Sequence, residues 1–231
     1  MYLGRAPETN QKTLSARLTS LLKATVTACG EAVPDIVYVT DAGKVETAYW
    51  KNELRKFCVC VAGRRIKIHR VVDYYHASER LTTIANTLKF GKHQQRRQDW
   101  LQQMRKLLLE PGGWGRVMRS IAKMKSTHKY KSVTAQQAQD AEKYLRRYQR
   151  FMNYYELREH DYPIGSGIVE SACKQVVSER LKLSGMRWEQ EGSQQTITLR
   201  YILLSKIWRA AYSKLLGAKP PVNDLTNEKV A

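Results

Sequence analysis

The chain is short of acid, of cysteine and of long apolar runs, and each shortage rules something out. Only 21 Asp and Glu stand against 40 Lys and Arg, a formal net charge of +19. A positive field of that size favours a polyanionic partner, nucleic acid above all. No stretch approaches the ~20 apolar residues of a membrane span. The opening MYLGRAPETN lacks the apolar segment that a signal peptide needs. The expected location is therefore cytoplasmic, associated with the nucleoid. There are four cysteines, Cys29, Cys58, Cys60 and Cys173. Cys58 and Cys60 are one residue apart, so neither a C-x-x-C redox pair nor a zinc knuckle is present. Buried, reduced thiols are expected. No Gly-Lys-Ser or Gly-Lys-Thr follows a glycine at P-loop spacing, which leaves a GTPase or ATPase a remote third option. No internal repeat is present.

What remains is a chain of 231 residues, 42% hydrophobic, enough for a real core in one large domain or two small ones. Its charge is uneven. Lys89 to Arg150 carries sixteen basic and four acidic residues, so twelve of the nineteen net charges. That segment is the first candidate for a phosphate-contacting surface, with Arg96, Arg97, Arg146 and Arg147 as its probes.

Periodicity predicts a helix over 13–28, stopped by Gly30, then a short β-branched strand in PDIVYVTDAG that ends at Asp41. A helix over 47–57 and a second strand ending at Val71-Val72-Asp73 follow, then a helix over 74–88. Helix, strand, helix, strand at this spacing is an α/β unit with parallel strands. Asp41 and Asp73 then lie at the carboxyl ends of two strands, the edge where open parallel sheets bind ligands. Residues 91–160 read as helices only, firmest over 93–110 and 136–159, with a Gly-Gly-Trp-Gly break at 112–115. Tyr144, Tyr148, Phe151 and Tyr155 form a stripe at helical spacing, read as core rather than as a stack for bases. A helix opened by Gly167 runs to Leu183, LKLSGMRW breaks it, and 196–216 make the last helix. Trp188 reads as core. The tail 217–231 is expected to be disordered.

The stretch YPIGSGIVESACKQ, Tyr162 to Gln175, holds a glycine-rich turn opening a helix. Such turns usually cradle phosphate, because free N–H groups point at an anion. Here Glu170 stands where the third glycine of a dinucleotide fingerprint belongs, and a carboxylate repels an anion unless a cation lies between them. The plainer alternative is a helix start, with Ser166 as cap and Glu170 at the positive end of the dipole. Asp41, the Asp73–His76 segment and Glu170 together are a set of carboxylates in a basic protein. Hard carboxylate ligands holding two Mg²⁺ ions roughly 3.5–4 Å apart are what phosphoryl transfer requires.

VYVTDAG, VVDYYHASERL and YPIGSGIVESACKQVVSERLKLSGMRW resemble the catalytic region of bacterial insertion-sequence transposases of the ISKra group. These are DDE enzymes related to the Mutator superfamily, with a ribonuclease-H-like fold. The resemblance runs from about Tyr2 to Leu216, and its last motif is the most specific. It implies a partial ribonuclease-H-like core over 1–90, a helical insertion over 91–160, and C-terminal core helices over 161–216 that carry Glu170. Asp41 resembles the second catalytic Asp, Asp73 and His76 the Asp-x-x-His signature, and Glu170 the final Glu. On this mapping the first Asp lies upstream of Met1, and the truncated chain binds DNA without cutting it. Asp35 begins the strand that Asp41 ends, about 20 Å away by strand rise, and cannot substitute. A rival mapping makes Asp41, Asp73 and Glu170 the whole triad.

The resemblance further implies Mg²⁺ or Mn²⁺ on Asp41, Glu170 and Asp73, DNA as partner, and a homodimer. Lys174, Arg180, Lys182 and Arg187 would contact phosphates, or form a solvated basic face. Asp73 and His76 have a plainer reading too, a helix cap with a satisfied histidine. The competing class is a non-enzymatic basic DNA- or RNA-binding protein, which needs no clustered carboxylates.

Overall fold

The computed structural model describes residues 6, 11–30, 32, 34–57, 60–61, 64–88, 94–127 and 135–216. The expected tail, 217–231, lies outside them, as do Cys58 and His93. The chain is mixed α/β and predominantly helical, and it divides into two compact units: Thr19–Ile168, and Met1–Leu18 with Val169–Ala231. Helix α1, Lys12–Ala28, begins in the smaller unit and ends in the larger.

In the larger unit the β-branched run IVYVT forms strand β1, Ile36–Thr40. It pairs in parallel with β4, Ile68–Val72, in a register running from Ile36 opposite Ile68 to Thr40 opposite Val72. Parallel strands cannot be joined by a tight turn. Here the crossover holds α2, Lys44–Asn52, a 3₁₀ turn Leu54–Lys56, and a small antiparallel hairpin of β2, Cys60–Val61, and β3, Arg64–Arg65. Helix α2 starts three residues before the predicted 47. Three residues suffice for the turn, because Asp41 Oδ1 accepts the Gly43 N–H at 3.1 Å and Thr40 Oγ1 accepts the Ala42 N–H at 3.2 Å.

Helix α3, Tyr74–Thr87, follows β4 with only Asp73 between. Its Ala77, Leu81, Ile84 and Ala85 recur at helical spacing and are fully buried. They share one core with Trp100 and Met104 of α4 (Gln94–Leu107), Val117 and Ile121 of α5 (Gly113–Thr127), and Leu145 of α6 (Ala135–Tyr148). Val71 and Val72 of β4 belong to the same cluster. Helices α4, α5 and α6 thus share a core with the strands. Each large side chain so buried contributes about 1.5–3 kcal/mol.

Several predicted helices are divided. The run 136–159 splits into α6, a 3₁₀ turn Gln149–Phe151, and α7, Tyr154–Glu159. The apolar period continues across the break, so periodicity alone could not reveal it. The break lets Tyr154 turn inward, fully buried, with its hydroxyl donating to the Val72 carbonyl at 2.9 Å. Gly-Gly-Trp-Gly is a helix start rather than a gap, since Gly113 opens α5.

The smaller unit contains α8, Gly167–Cys173, whose first two residues belong to the larger unit, then a π-helical segment Lys174–Ser178 and α9, Glu179–Leu181. Gly185 at φ 76° follows. The predicted last helix is two, α10 (Gln190–Leu204) and α11 (Trp208–Leu216). Lys206 takes φ 57° between them, its N–H donating to Leu203 and that of Ile207 to Ile202. This is the two-bond C-terminal closure that glycine usually provides, so no glycine signals it in the sequence. The core here is small: Ala6, Val176 and Ile197, with Leu181, Tyr201 and Leu204 against it. Two expectations about burial are corrected. Trp188 is 42% exposed rather than core, and Cys173 is exposed while Cys29 is half-buried. No helix among the described residues is long and apolar enough to cross a membrane.

Candidate functional site at the carboxyl edge of the strands

Asp41 and Asp73 each follow the last residue of a strand, and those residues, Thr40 and Val72, are register partners. The two aspartates therefore occupy equivalent places at the same end of adjacent parallel strands. The Asp73 N–H donates to the Thr40 carbonyl at 2.8 Å, which continues the ladder one step beyond the strands.

Asp73 is 3% exposed. Its Oδ1 accepts the N–H groups of Tyr75 at 2.6 Å and His76 at 3.0 Å, capping α3. Its Oδ2 accepts the N–H of Ser166 at 2.5 Å. Next to it, the Tyr74 N–H donates to the Ile164 carbonyl at 2.9 Å. The glycine-rich turn is thus bound to the strand end by a carboxylate and a backbone bond. Burial pushes the Asp73 carboxyl up, but the hydrogen bonds from Ser166, His76 and Tyr75 outweigh it and hold the group below its ordinary value. Gly165 is needed for packing: a Cβ there would lie 2.9 Å from Cε2 of Tyr75. Nothing crowds Gly167.

Asp41 is exposed. The residue after it, Ala42, is buried at φ 57°, a conformation that costs a non-glycine residue about 1–2 kcal/mol. Thr47 Oγ1 donates to the Ala42 carbonyl at 3.1 Å, and the Tyr144 hydroxyl donates to the Asp41 carbonyl at 2.7 Å. Strained backbone held from two sides beside an exposed carboxylate is a pattern found at functional sites. The Tyr144 phenol is pushed up, first by burial and then by the Asp41 and Asp73 charges, with Arg80 opposing.

His76 is held at both ring nitrogens. Arg80 Nη2 lies 3.0 Å from Nε2, and Glu79 Oε2 lies 3.1 Å from Nδ1. A guanidinium only donates, so Nε2 must accept and the proton sits on Nδ1, donating to Glu79. The Arg80 guanidinium also lies 4.9 Å from the centre of the Tyr144 ring. Asp41, Tyr144, Arg80, His76, Asp73 and Ser166 form one connected set. It joins three motifs of the sequence to the helical segment between them.

As donors for a divalent cation these residues divide. Asp41 and Glu170 are exposed carboxylates and could each offer oxygens. Asp73 does not fit, because its buried oxygens are taken by three N–H groups. His76 does not fit while Arg80 and Glu79 hold it. No group of three or more His, Cys, Asp or Glu placed to hold a metal occurs among the described residues. Glu170 lies in the first turn of α8, in the smaller unit.

Of the basic residues singled out, Arg96, Arg146 and Arg147 are exposed and Arg97 is half-buried. Arg146 is bound to Glu142 through Nε at 3.1 Å and Nη2 at 2.9 Å. Lys174, Arg180, Lys182 and Arg187 are exposed on the smaller unit. Sequence reasoning missed Tyr144 and Arg80. Arg80 carried a usable signal, four residues after His76 and so on the same helical face. Tyr144 packs against the core as the stripe predicts, beside the buried Tyr148, and its hydroxyl also reaches the Asp41 carbonyl. No family model, curated protein or solved structure matches the chain.

Proposed function

We propose that this chain is the catalytic region of a DDE-type DNA transposase, in which the parallel pair β1–β4 is part of a ribonuclease-H-like core. The observation that carries the reading is the pairing of Asp41 and Asp73 at one edge of adjacent parallel strands, with the turn leading into the Glu170 helix tied to Asp73. The net charge of +19 supports DNA as the partner. Asp41 and Glu170 are the carboxylates assigned to Mg²⁺ or Mn²⁺, which when bound supplies an activated water or 3′-hydroxyl for attack on a phosphodiester. Asp73 holds the start of α3 and the glycine-rich turn through their N–H groups, and His76 links the side chains of Arg80 and Glu79. The transposase acts as a homodimer on transposon ends in the nucleoid.

A second reading, a non-enzymatic basic DNA- or RNA-binding protein, draws on the saturation of Asp73 by N–H donors. Metal binding separates the two. Mn²⁺ titrated into the DNA-bound protein and followed by electron paramagnetic resonance should bind tightly to the unmodified chain. Asp41→Asn and Glu170→Gln should each weaken it tenfold or more, the effect of about 1.4 kcal/mol. Equal Mn²⁺ affinity in the double variant would leave the binding-protein reading in place.

A further inference from the structure

Tyr75 is out of place for a side chain of its kind. Among the described residues of Thr19–Ile168, the exposed large apolar side chains are Tyr75, at 62%, and Ile168, at 79%. The other described Phe, Trp and Tyr side chains of this unit are buried or half-buried. An exposed large apolar group is the informative exception on a protein surface. This one stands two residues after Asp73, at the carboxyl edge of the strands.

The ring is also held. The Tyr75 N–H is fixed by Asp73 Oδ1 at 2.6 Å. The glycine-rich turn lies against one edge of the ring, where a Cβ at residue 165 would come within 2.9 Å of Cε2 and 3.1 Å of Cδ2. The Tyr74 ring supports it from its own side, centres 5.6 Å apart at 73°. Two neighbours steady the ring and the rest of it faces solvent. A steadied, exposed aromatic has lost little freedom still to be lost on binding, so stacking a planar group on it costs little entropy.

We propose that Tyr75 is a stacking platform for an unpaired nucleobase, next to the phosphate that the carboxylate edge would process. The inference rests on the DNA-processing reading above. The ligand class follows from two features together. The chain carries a net charge of +19, which draws a polyanion, and the exposed group is aromatic, which suits a base face better than an aliphatic surface. Because every base offers such a face, the platform is indifferent to sequence. It selects single-stranded or opened DNA over closed duplex.

The test uses the full chain and a single-stranded oligonucleotide carrying one 2-aminopurine, with anisotropy and quenching measured from low to high salt. Tyr75→Leu should weaken binding about five- to hundredfold, the usual worth of one stacked base, and relieve the quenching. Tyr75→Phe should match the unmodified chain. The slope of log affinity against log salt should be the same in all three, because no phosphate contact is removed. Gly165→Ala, which pushes on the ring from the turn, should relieve part of the quenching and reports on the platform independently. Circular dichroism is expected to show unchanged helix content for the exposed Tyr75 variants. Equal affinity and quenching in Tyr75→Leu, at an unchanged salt slope, would overturn the platform alone. Tyr75→Phe as weak as Tyr75→Leu would overturn it too, in favour of a hydroxyl contact. An unmodified chain with no salt-dependent affinity for DNA would remove the functional reading and the platform together.

Discussion

The carboxylate of Asp73 accepts the backbone N–H of Ser166, ninety-three positions further along the chain, at 2.5 Å. That bond gives the glycine-rich turn its place. The turn has no strand of its own to pair with, and it reaches the strand edge through this carboxylate and the Tyr74–Ile164 backbone bond. A buried charge is tolerable here because three N–H donors replace the water it gave up.

Removing that acceptor should be expensive. Asp73→Ala leaves three N–H groups without their partner, and should cost about 2–4 kcal/mol in urea unfolding. Asp73→Asn keeps an oxygen for the cap but turns an amide toward Ser166, and should cost less. The folded carboxyl is held below its ordinary value, so its stabilisation is fully present above the unfolded pKa of about 3.9 and is lost as pH falls through the folded value. Acid unfolding of Asp73→Asn should therefore depend less steeply on pH below about 4 than that of the unmodified chain. Identical acid limbs would show that Asp73 is not the group titrating there.

The two glycines of the turn should behave differently. Gly165→Ala drives a methyl into the Tyr75 ring and should lower stability by about 1 kcal/mol. Gly167→Ala meets open space at a helical position and should be neutral or stabilising by about 0.4–1 kcal/mol. Paired denaturation midpoints decide it; equal shifts would mean that the turn, and not the ring contact, constrains Gly165.

Much of this was legible from residue order. The β-branched runs ending at Asp41 and Asp73 fixed two strands, and the helix between them required parallel pairing. Several of the unread parts depend on contacts between distant segments. Nothing near Ser166 announces Asp73. Nothing near Arg70 announces that its guanidinium is buried over Phe151 at 4.6 Å, Tyr148 at 5.5 Å and Trp50 at 5.7 Å. In the strand pattern it reads as an outward-facing base. The breaks at Asn153 and Lys206 were hidden for the opposite reason, because apolar spacing runs through both and neither residue is a glycine or proline.

At the other end of the strands His69, paired with Val37, lies 5.0 Å from the Tyr162 ring, whose hydroxyl donates to Asp35 at 2.5 Å. Burial, then Lys67 and His160, lower the His69 pKa, and Asp35 opposes them. A lowered histidine contributes stability above its unfolded pKa of about 6.5 and loses it as pH falls through the folded value. Stability should thus decline on going from pH 7.5 toward 5, and the decline should be smaller in His69→Gln. Urea midpoints at both pH values measure it, and an unchanged decline would assign the effect to another group.

The charges that meet DNA can be separated by what each already holds. Glu142, with a side chain only 12% exposed, takes Arg146 on one oxygen and Lys125 on the other at 2.8 Å. Arg146 is therefore partly neutralised within the fold, and its loss should cost stability more than DNA affinity. Arg96 is exposed, and Arg147, lying 5.4 Å from the centre of the Tyr148 ring, is exposed as well. Each phosphate contact removed should reduce the slope of log affinity against log salt by about 0.9 on duplex DNA. Arg96→Ala and Arg147→Ala together should then flatten the slope by about 2, while Arg146→Ala leaves it closer to the original and lowers the unfolding midpoint. Four alanines at Lys174, Arg180, Lys182 and Arg187 should flatten it less than the pair, because the charge excess is concentrated between Lys89 and Arg150. If those four flatten it more, the DNA track runs over the helices that follow Glu170.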